Sequence, residues 1–182
     1  QIQQWLSDGV VAPWQGRFAE WEDGVFSAVE ASSIRWVAQP RMSALGRHLS
    51  KDLSVHLQTR IVSLKRDHDQ WSLQSEDGQK FSGYDCVLLC CPGPQAQALL
   101  PTDSPLRKVS ARLEYSPCWV SMLSYQEAVP LPYDGIHFHH PVLAWAARDN
   151  SKPGREAGER WVLQAQSGWS RAQIETDMDS VL

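Results

Sequence analysis

The residues best able to do chemistry are three histidines, His137, His139 and His140, and four cysteines, Cys86, Cys90, Cys91 and Cys118. On a strand, His137 and His139 would share one face, as a pair of imidazole ligands does. A metal site needs a third ligand in the right place, and no obvious carboxylate or cysteine partner is supplied. No metal is therefore expected, and the histidines read as strand or pocket residues, with His139 or His140 able to line a cavity. Cys90 and Cys91, as strand neighbours, would point to opposite faces, and no CxxC pair occurs. That argues against zinc and against a dithiol redox centre. The cysteines then read as buried, inert, small apolar residues of a reducing compartment, by default the cytoplasm. Neither a Gly-x-Ser-x-Gly elbow nor a recognisable Cys–His pairing supports a hydrolase. Among the 11 glycines no two are spaced Gly-x-Gly, so the glycine turn that cradles a dinucleotide pyrophosphate is absent.

Composition narrows the partners. The chain has 182 residues, 42% of them apolar, enough for a real core in one ordinary domain or two small interlocked ones. A formal charge of −4 argues against nucleic acid and against attraction to anionic lipid. No apolar run approaches the roughly 18 residues of a membrane span, and no signal peptide opens the chain. Nine tryptophans are the unusual count. Residues this large and rigid belong in a core or a pocket wall.

The elements that must position these residues alternate along the chain. Ile2, Trp5 and Leu6 lie at helical spacing before Gly9, and Val10 to Trp36 reads as short extended segments broken by Pro13, Gly16 and Gly24. After Pro40, Ser43 reads as the N-cap of a helix with Met42, Leu45 and Leu49 as its stripe. Strict alternation predicts a strand from Leu53 to Leu57. Arg60 to Arg66, Gln70 to Ser75 and Lys80 to Ser82 predict a meander, turning at Asp67–Asp69 and at Glu76-Asp77-Gly78. Asp85 to Cys91 is apolar on both faces, as a strand covered on both sides would be. Pro92-Gly93-Pro94 ends it, and Gln95 to Leu100 begins a short helix. Further strands are expected at Cys118–Tyr125, Val142–Ala147 and Trp161–Gln166. Ser170 to Gln173 matches a capping box, with Ile174, Met178 and Val181 as the buried stripe. Helical patterns at both ends, without the expected cap or stop, suit a piece of a longer polypeptide.

Several stretches together carry a resemblance. They are Pro40–Leu49, Val55–Leu64, Trp71–Leu73, Asp77-Gly78 and Tyr84–Gln95, flanked by Trp5–Trp14, Trp145–Arg155 and Glu159–Arg171. In this order they resemble the flavin-dependent amine-oxidase-type oxidoreductases, and the flanks resemble the bacterial renalase-like branch. The resemblance implies an α+β fold. Residues 1–39 and 101–182 would form an antiparallel or mixed substrate-domain sheet with helices. Residues 40–100 would supply helix, strand, meander and strand of the second half of a glutathione-reductase-like FAD domain. FAD is implied as the cofactor of the full-length parent, with the glycine turn outside these residues, so residues 1–182 alone are expected to hold none. The implied partners are a small-molecule substrate and the N- and C-terminal segments of the same polypeptide.

The resemblance also suggests site residues. Arg41 and Met42 would lie beside the cofactor. The backbone N–H and C=O of Ile61 would meet adenine, which needs one donor and one acceptor at a fixed separation. Cys91, Pro92 and Pro94 would form a turn free of bulky side chains, at the carboxyl end of a strand where open sheets place ligands. Ile61 reads equally as a core residue, and the proline turn as a plain chain reversal. Hydride transfer to a flavin needs mostly a walled aromatic pocket. Trp145 would be that wall and His139 a lining residue. Asn150 and Lys152 lie on the following loop, where Lys152 could attract a phosphate or carboxylate as a point charge. A core tryptophan and a solvated lysine remain open beside these roles. No catalytic residue emerges. The substrate class implied is a reduced nicotinamide-type nucleotide, or more loosely an amine. The rival from another class is a non-catalytic aromatic-rich sheet that binds carbohydrate or peptide.

Overall fold

The computed structural model describes residues 1–30 and 34–177. In chain order the elements are α1 (Ile2–Ser7), β1 (Val11–Pro13), β2 (Phe18–Glu22), β3 (Val25–Val29), β4 (Trp36–Ala38), α2 (Ser43–Leu49), β5 (Ile61–Asp67), β6 (Gln70–Ser75), β7 (Lys80–Tyr84), α3 (Gly93–Leu99), α4 (Leu106–Ser110), β8 (Val120–Tyr125), β9 (Gly135–Phe138), β10 (Leu143–Arg148), β11 (Glu159–Ala165) and α5 (Ser167–Ala172). Two compact units divide them. One joins Gln1–Leu53 to Ser116–Leu182, and the other is Ser54–Tyr115. Among the described residues no helix is long and apolar enough to cross a membrane.

The first unit is built on a six-stranded sheet in the order β3-β2-β9-β10-β11-β8, beside a two-stranded pair of β1 and β4. All its neighbours run antiparallel except β2 and β9, which pair in parallel through Phe18 opposite Gly135. The β2–β3 hairpin turns through Asp23 and Gly24, both left-handed, the twist that suits a two-residue connection. Strand side chains alternate faces. Ala147 therefore joins Trp14, Phe18 and Val37 on one side, and Ala146 joins Ile136 and Trp161 on the other. Ile136 is fully buried.

A buried charge cluster closes the second side. Arg148 on β10 approaches Asp134 at 3.4 Å and Glu159 at 3.2 Å, and donates to the carbonyls of Val129 and Leu131. Glu159 also accepts the Trp161 indole N–H at 2.7 Å, and Asp134 accepts the Arg17 backbone N–H at 2.9 Å. Every charge is matched and hydrogen-bonded, the condition under which burial is tolerated.

The second unit holds the antiparallel meander β5-β6-β7, packed beside α3, with α4 against α3. The expected turn at Asp77-Gly78 is present. Gly78 is left-handed, and the Asp77 carboxylate accepts the Ser75 hydroxyl and the Gln79 N–H. Those hydrogen bonds, Ser75 first, hold the Asp77 carboxyl below the usual carboxylate range.

The α+β architecture, the mixed sheet and the meander agree with expectation. Several local expectations do not. Leu53–Leu57 forms no strand, and Leu53, Val55 and Leu57 are exposed. Asp85–Cys91 also forms no strand, with Leu88 82% exposed. Neither stretch finds a partner strand among the described residues, and of the doubly apolar Asp85–Cys91 only Val87 and Leu89 are half-buried. The four cysteines are accordingly exposed, not buried. Ser43 is the first residue of α2, with Met42 at the cap position and no side-chain cap bond. Ser170 is no N-cap either: α5 begins at Ser167, and the buried Ser170 hydroxyl accepts the Trp119 N–H at 3.0 Å. That strand-end donor is the stronger claim on it than a helix start. Ile174 is exposed, and Met178 and Val181 lie outside the described residues.

Candidate functional site

Trp145 sits on β10 opposite His137 of β9, which in turn lies opposite Glu20 of β2. Its ring is 4.4 Å from the His137 ring and 6.4 Å from Phe18, nearly parallel to the latter at 19°. Trp14 meets Phe18 edge-on at 5.0 Å. Gly135 makes this packing possible. A Cβ there would lie 2.6 Å from the Trp145 ring and 2.7 Å from Phe18, closer than real atoms approach. Trp145 is thus a half-buried wall, anchored on the core on one side and carrying His137 on the other.

Arg35, on the segment leading into β4, places its guanidinium 4.6 Å from the Phe18 ring centre and 5.3 Å from that of Trp145. Partial burial lowers the pKa of His137 below its usual value, the Arg35 charge lowers it further, and Glu20 opposes both. At neutral pH the imbalance favours the uncharged imidazole. His139 lies exposed on the same face, 3.7 Å from Glu20. His140 does something else: its Nδ1 accepts the backbone N–H groups of Val142 and Leu143, each at 3.2 Å. It shapes the β9–β10 turn, and so carries its proton on Nε2.

The loop after β10 is internally wired. Asn150 accepts the Arg160 backbone N–H at 3.0 Å through its side-chain oxygen. The Ser151 hydroxyl donates to the Arg148 carbonyl and accepts the Trp14 indole N–H. Lys152 reaches Asp149 at 2.9 Å, with its ammonium 5.4 Å from the Trp14 ring centre. Burial alone would raise the Asp149 pKa, but the hydrogen bond and charge of Lys152, with Arg155 and Arg160, outweigh it and hold the carboxyl low. Asn150 and Lys152 therefore brace the loop, and the lysine charge is already matched.

Beside this loop opens a cavity of about 570 Å³, lined by Arg41, Met42, Asp149, Arg155, Glu156 and Arg160 among others. Arg41 pairs with Glu156 at 3.6 Å across exposed surface. Arg155 donates to the carbonyls of Ala38 and Pro40, and its Nε lies 3.6 Å from Asp149. Three arginines face two carboxylates here, and Arg160 also donates to the carbonyls of Ala157 and Glu156, so the cavity wall is positive but its donors are engaged. The structure thus brings Arg41 and Met42 to the same cavity as the loop that carries Asn150 and Lys152.

The other expected residues lie in the second unit. Ile61 opens β5, half-buried, and lines an apolar cavity of about 320 Å³ with His56, Leu73, Phe81, Tyr84 and Val87. Cys91, Pro92 and Pro94 are exposed, and Pro92 is the cap residue of α3. Gly93 between them is buried, donating its N–H to the Tyr115 hydroxyl at 2.8 Å, and a Cβ there would press on Ser110 and Leu113. The turn is a helix start packed on its own unit, more than a bare reversal. Arg35, Phe18 and Arg155 went unnoticed in the sequence. An aromatic residue at the head of an extended segment was the signal available for Phe18. Arg35 had none, because a lone arginine before a short strand has no pattern. Among the described residues, no three or more His, Cys, Asp or Glu side chains are grouped to hold a metal ion.

Comparison with known proteins gives two findings. The model of the family described as flavin containing amine oxidoreductase matches residues 12–171. The crystal structure named "Putative protoporphyrinogen oxidase from Exiguobacterium sp. 255-15" is similar in fold, with a TM-score of 0.52 at 20% sequence identity. The similarity covers 75% of this chain and 31% of that one, so the chain spans about a third of the length of that relative.

Proposed function

This chain belongs to the family of flavin containing amine oxidoreductases, and from that premise we propose that it is part of an FAD-dependent oxidoreductase. Its substrate would be a reduced nicotinamide-type nucleotide, as in the renalase-like branch, or an amine. The observation that carries the reading is the family match over residues 12–171. In this reading residues 1–39 and 101–182 form the substrate domain, and 40–100 belong to the FAD domain. Polypeptide outside residues 1–182 supplies the glycine turn for the pyrophosphate, and a cytoplasmic location goes with the reading.

The residues present fit part of such a cofactor. Arg41, Arg155 and Arg160 would give this cavity a positive rim facing phosphate oxygens, although each guanidinium is already engaged by Glu156, Asp149 or loop carbonyls. Met42 lies at the same rim. The flavin, when bound, supplies the acceptor for the substrate's hydride. The chain's own contribution is to bind and orient. Trp145, half-buried between Phe18 and His137, would present the remaining part of a rigid ring to the substrate and shield it from water. His137, held largely neutral, presents a hydrogen-bonding group beside that wall without adding charge. His139 sits further out on the same face.

The test is the full-length polypeptide. It should purify yellow, with stoichiometric flavin that bleaches when a reduced nicotinamide nucleotide or an amine is added without oxygen. A colourless full-length protein would overturn the reading and favour a binding module. Residues 1–182 alone should purify without flavin.

A further inference from the structure

We propose that Arg35 anchors the anionic group of a ligand whose planar ring packs on Trp145; this rests on reading Trp145 as a binding wall. The guanidinium lies over Phe18 at 4.6 Å and Trp145 at 5.3 Å. A ring contact of this kind satisfies the charge of the group without consuming a hydrogen-bond acceptor. The N–H edge of a guanidinium is the part that grips a carboxylate or phosphate through two parallel hydrogen bonds. Among the described residues no hydrogen bond is made by the Arg35 guanidinium. Among the described residues no carboxylate lies within ion-pair distance of Arg35, whereas Arg41 has Glu156, Arg155 has Asp149 and Arg148 has Asp134 and Glu159.

The neighbours fit an anion. Lys152, the cation that the sequence favours, is held by Asp149 and cannot serve without breaking that pair. Glu20 lies opposite His137 on this face, and its carboxylate oxygen is turned to His139 at 3.7 Å. His137 stacks on Trp145 and, being largely uncharged, neither competes with Arg35 nor repels it. The ligand class that follows is a planar ring with a carboxylate or phosphate close to it.

Calorimetric titration of the 182-residue chain with nicotinate, phenyl phosphate and uncharged nicotinamide tests this. At least one anion should bind roughly tenfold tighter than nicotinamide, the scale of a charge-assisted hydrogen bond. Which anion does so tells carboxylate from phosphate. Arg35→Gln should abolish that preference, leave nicotinamide binding and the melting temperature unchanged, and be partly rescued by Arg35→Lys. Lys152→Ala should keep the preference. A preference that survives Arg35→Gln overturns the proposal, as does failure of the wild-type chain to bind either anion. Arg35-dependent binding that is indifferent to Trp145→Leu supports the anchor and overturns the wall. Nicotinamide binding lost in Trp145→Leu, with no anion preference to lose, keeps the wall and overturns the anchor.

Discussion

Two apolar stretches, Leu143–Arg148 and Asp85–Cys91, look alike on paper and differ in the molecule. The first becomes β10, with β9 and β11 on either side and a hydrophobic cluster against each face. The second stays irregular and mostly exposed, with only Val87 and Leu89 half-buried. Apolarity on both faces therefore states what a segment requires, not what it forms. A strand appears only where neighbours satisfy its backbone and its side chains together.

The largest expected effect tests this contrast through charge. Arg148→Met strips Asp134 and Glu159 of their buried partner and should cost about 3–5 kcal/mol in denaturant unfolding. Arg66→Met, beside exposed Asp69 in the meander, should cost less than about 1 kcal/mol. Comparable losses would mean the cluster around Arg148 is solvated like a surface pair.

Truncation of apolar side chains sharpens the same point. Ile136→Ala removes a fully buried side chain and should cost about 2–5 kcal/mol. Leu88→Ala should stay within about 0.5 kcal/mol. A large loss at Leu88 would show that the stretch is covered in solution.

Thiol chemistry reads the irregular stretch more finely. Cys90 and Cys91 are exposed, so a thiol reagent should label them in the native chain within a few-fold of the rate in denaturant. Protection by orders of magnitude would restore the buried strand that the sequence suggests.

The smallest effect is a pH dependence. His137 titrates below its usual value of 6.5 when folded, through partial burial first and Arg35 second. The folded state then binds fewer protons than the unfolded one, so its stability is complete above pH 6.5 and erodes as pH falls below it. His137→Gln should flatten that slope in melts between neutral and mildly acidic pH. An unchanged slope would place the titrating group elsewhere.

Much of the fold was legible because its signals are local. Asp77-Gly78 fixed a turn through a left-handed glycine and a side chain that bonds its own loop, and the meander followed. Trp145 was visible as an aromatic residue in an apolar strand. What escaped depends on residues far apart. Whether Lys152 is free turns on Asp149 nearby, but its seat over Trp14 joins opposite ends of the chain. The role of Ser170 is set by Trp119, 51 positions away. Arg35 gains meaning only when β2 and β10 bring Phe18 and Trp145 beneath it. Periodicity reports which face of an element is apolar, and is silent about what arrives there.

The parallel contact of β2 with β9 has a consequence for how the molecule is made. Arg17 and Asp134, which bond at its start, are 117 positions apart, and the whole second unit lies between them. During synthesis from the N-terminus, β2 and β3 emerge as a hairpin whose inner edge has no strand to meet until β9 leaves the ribosome. The meander, closed by neighbouring turns, is free to form in that interval. The hairpin of β2 and β3 thus keeps Phe18 and Trp21 without their strand neighbours until Gly135 and Phe138 are made.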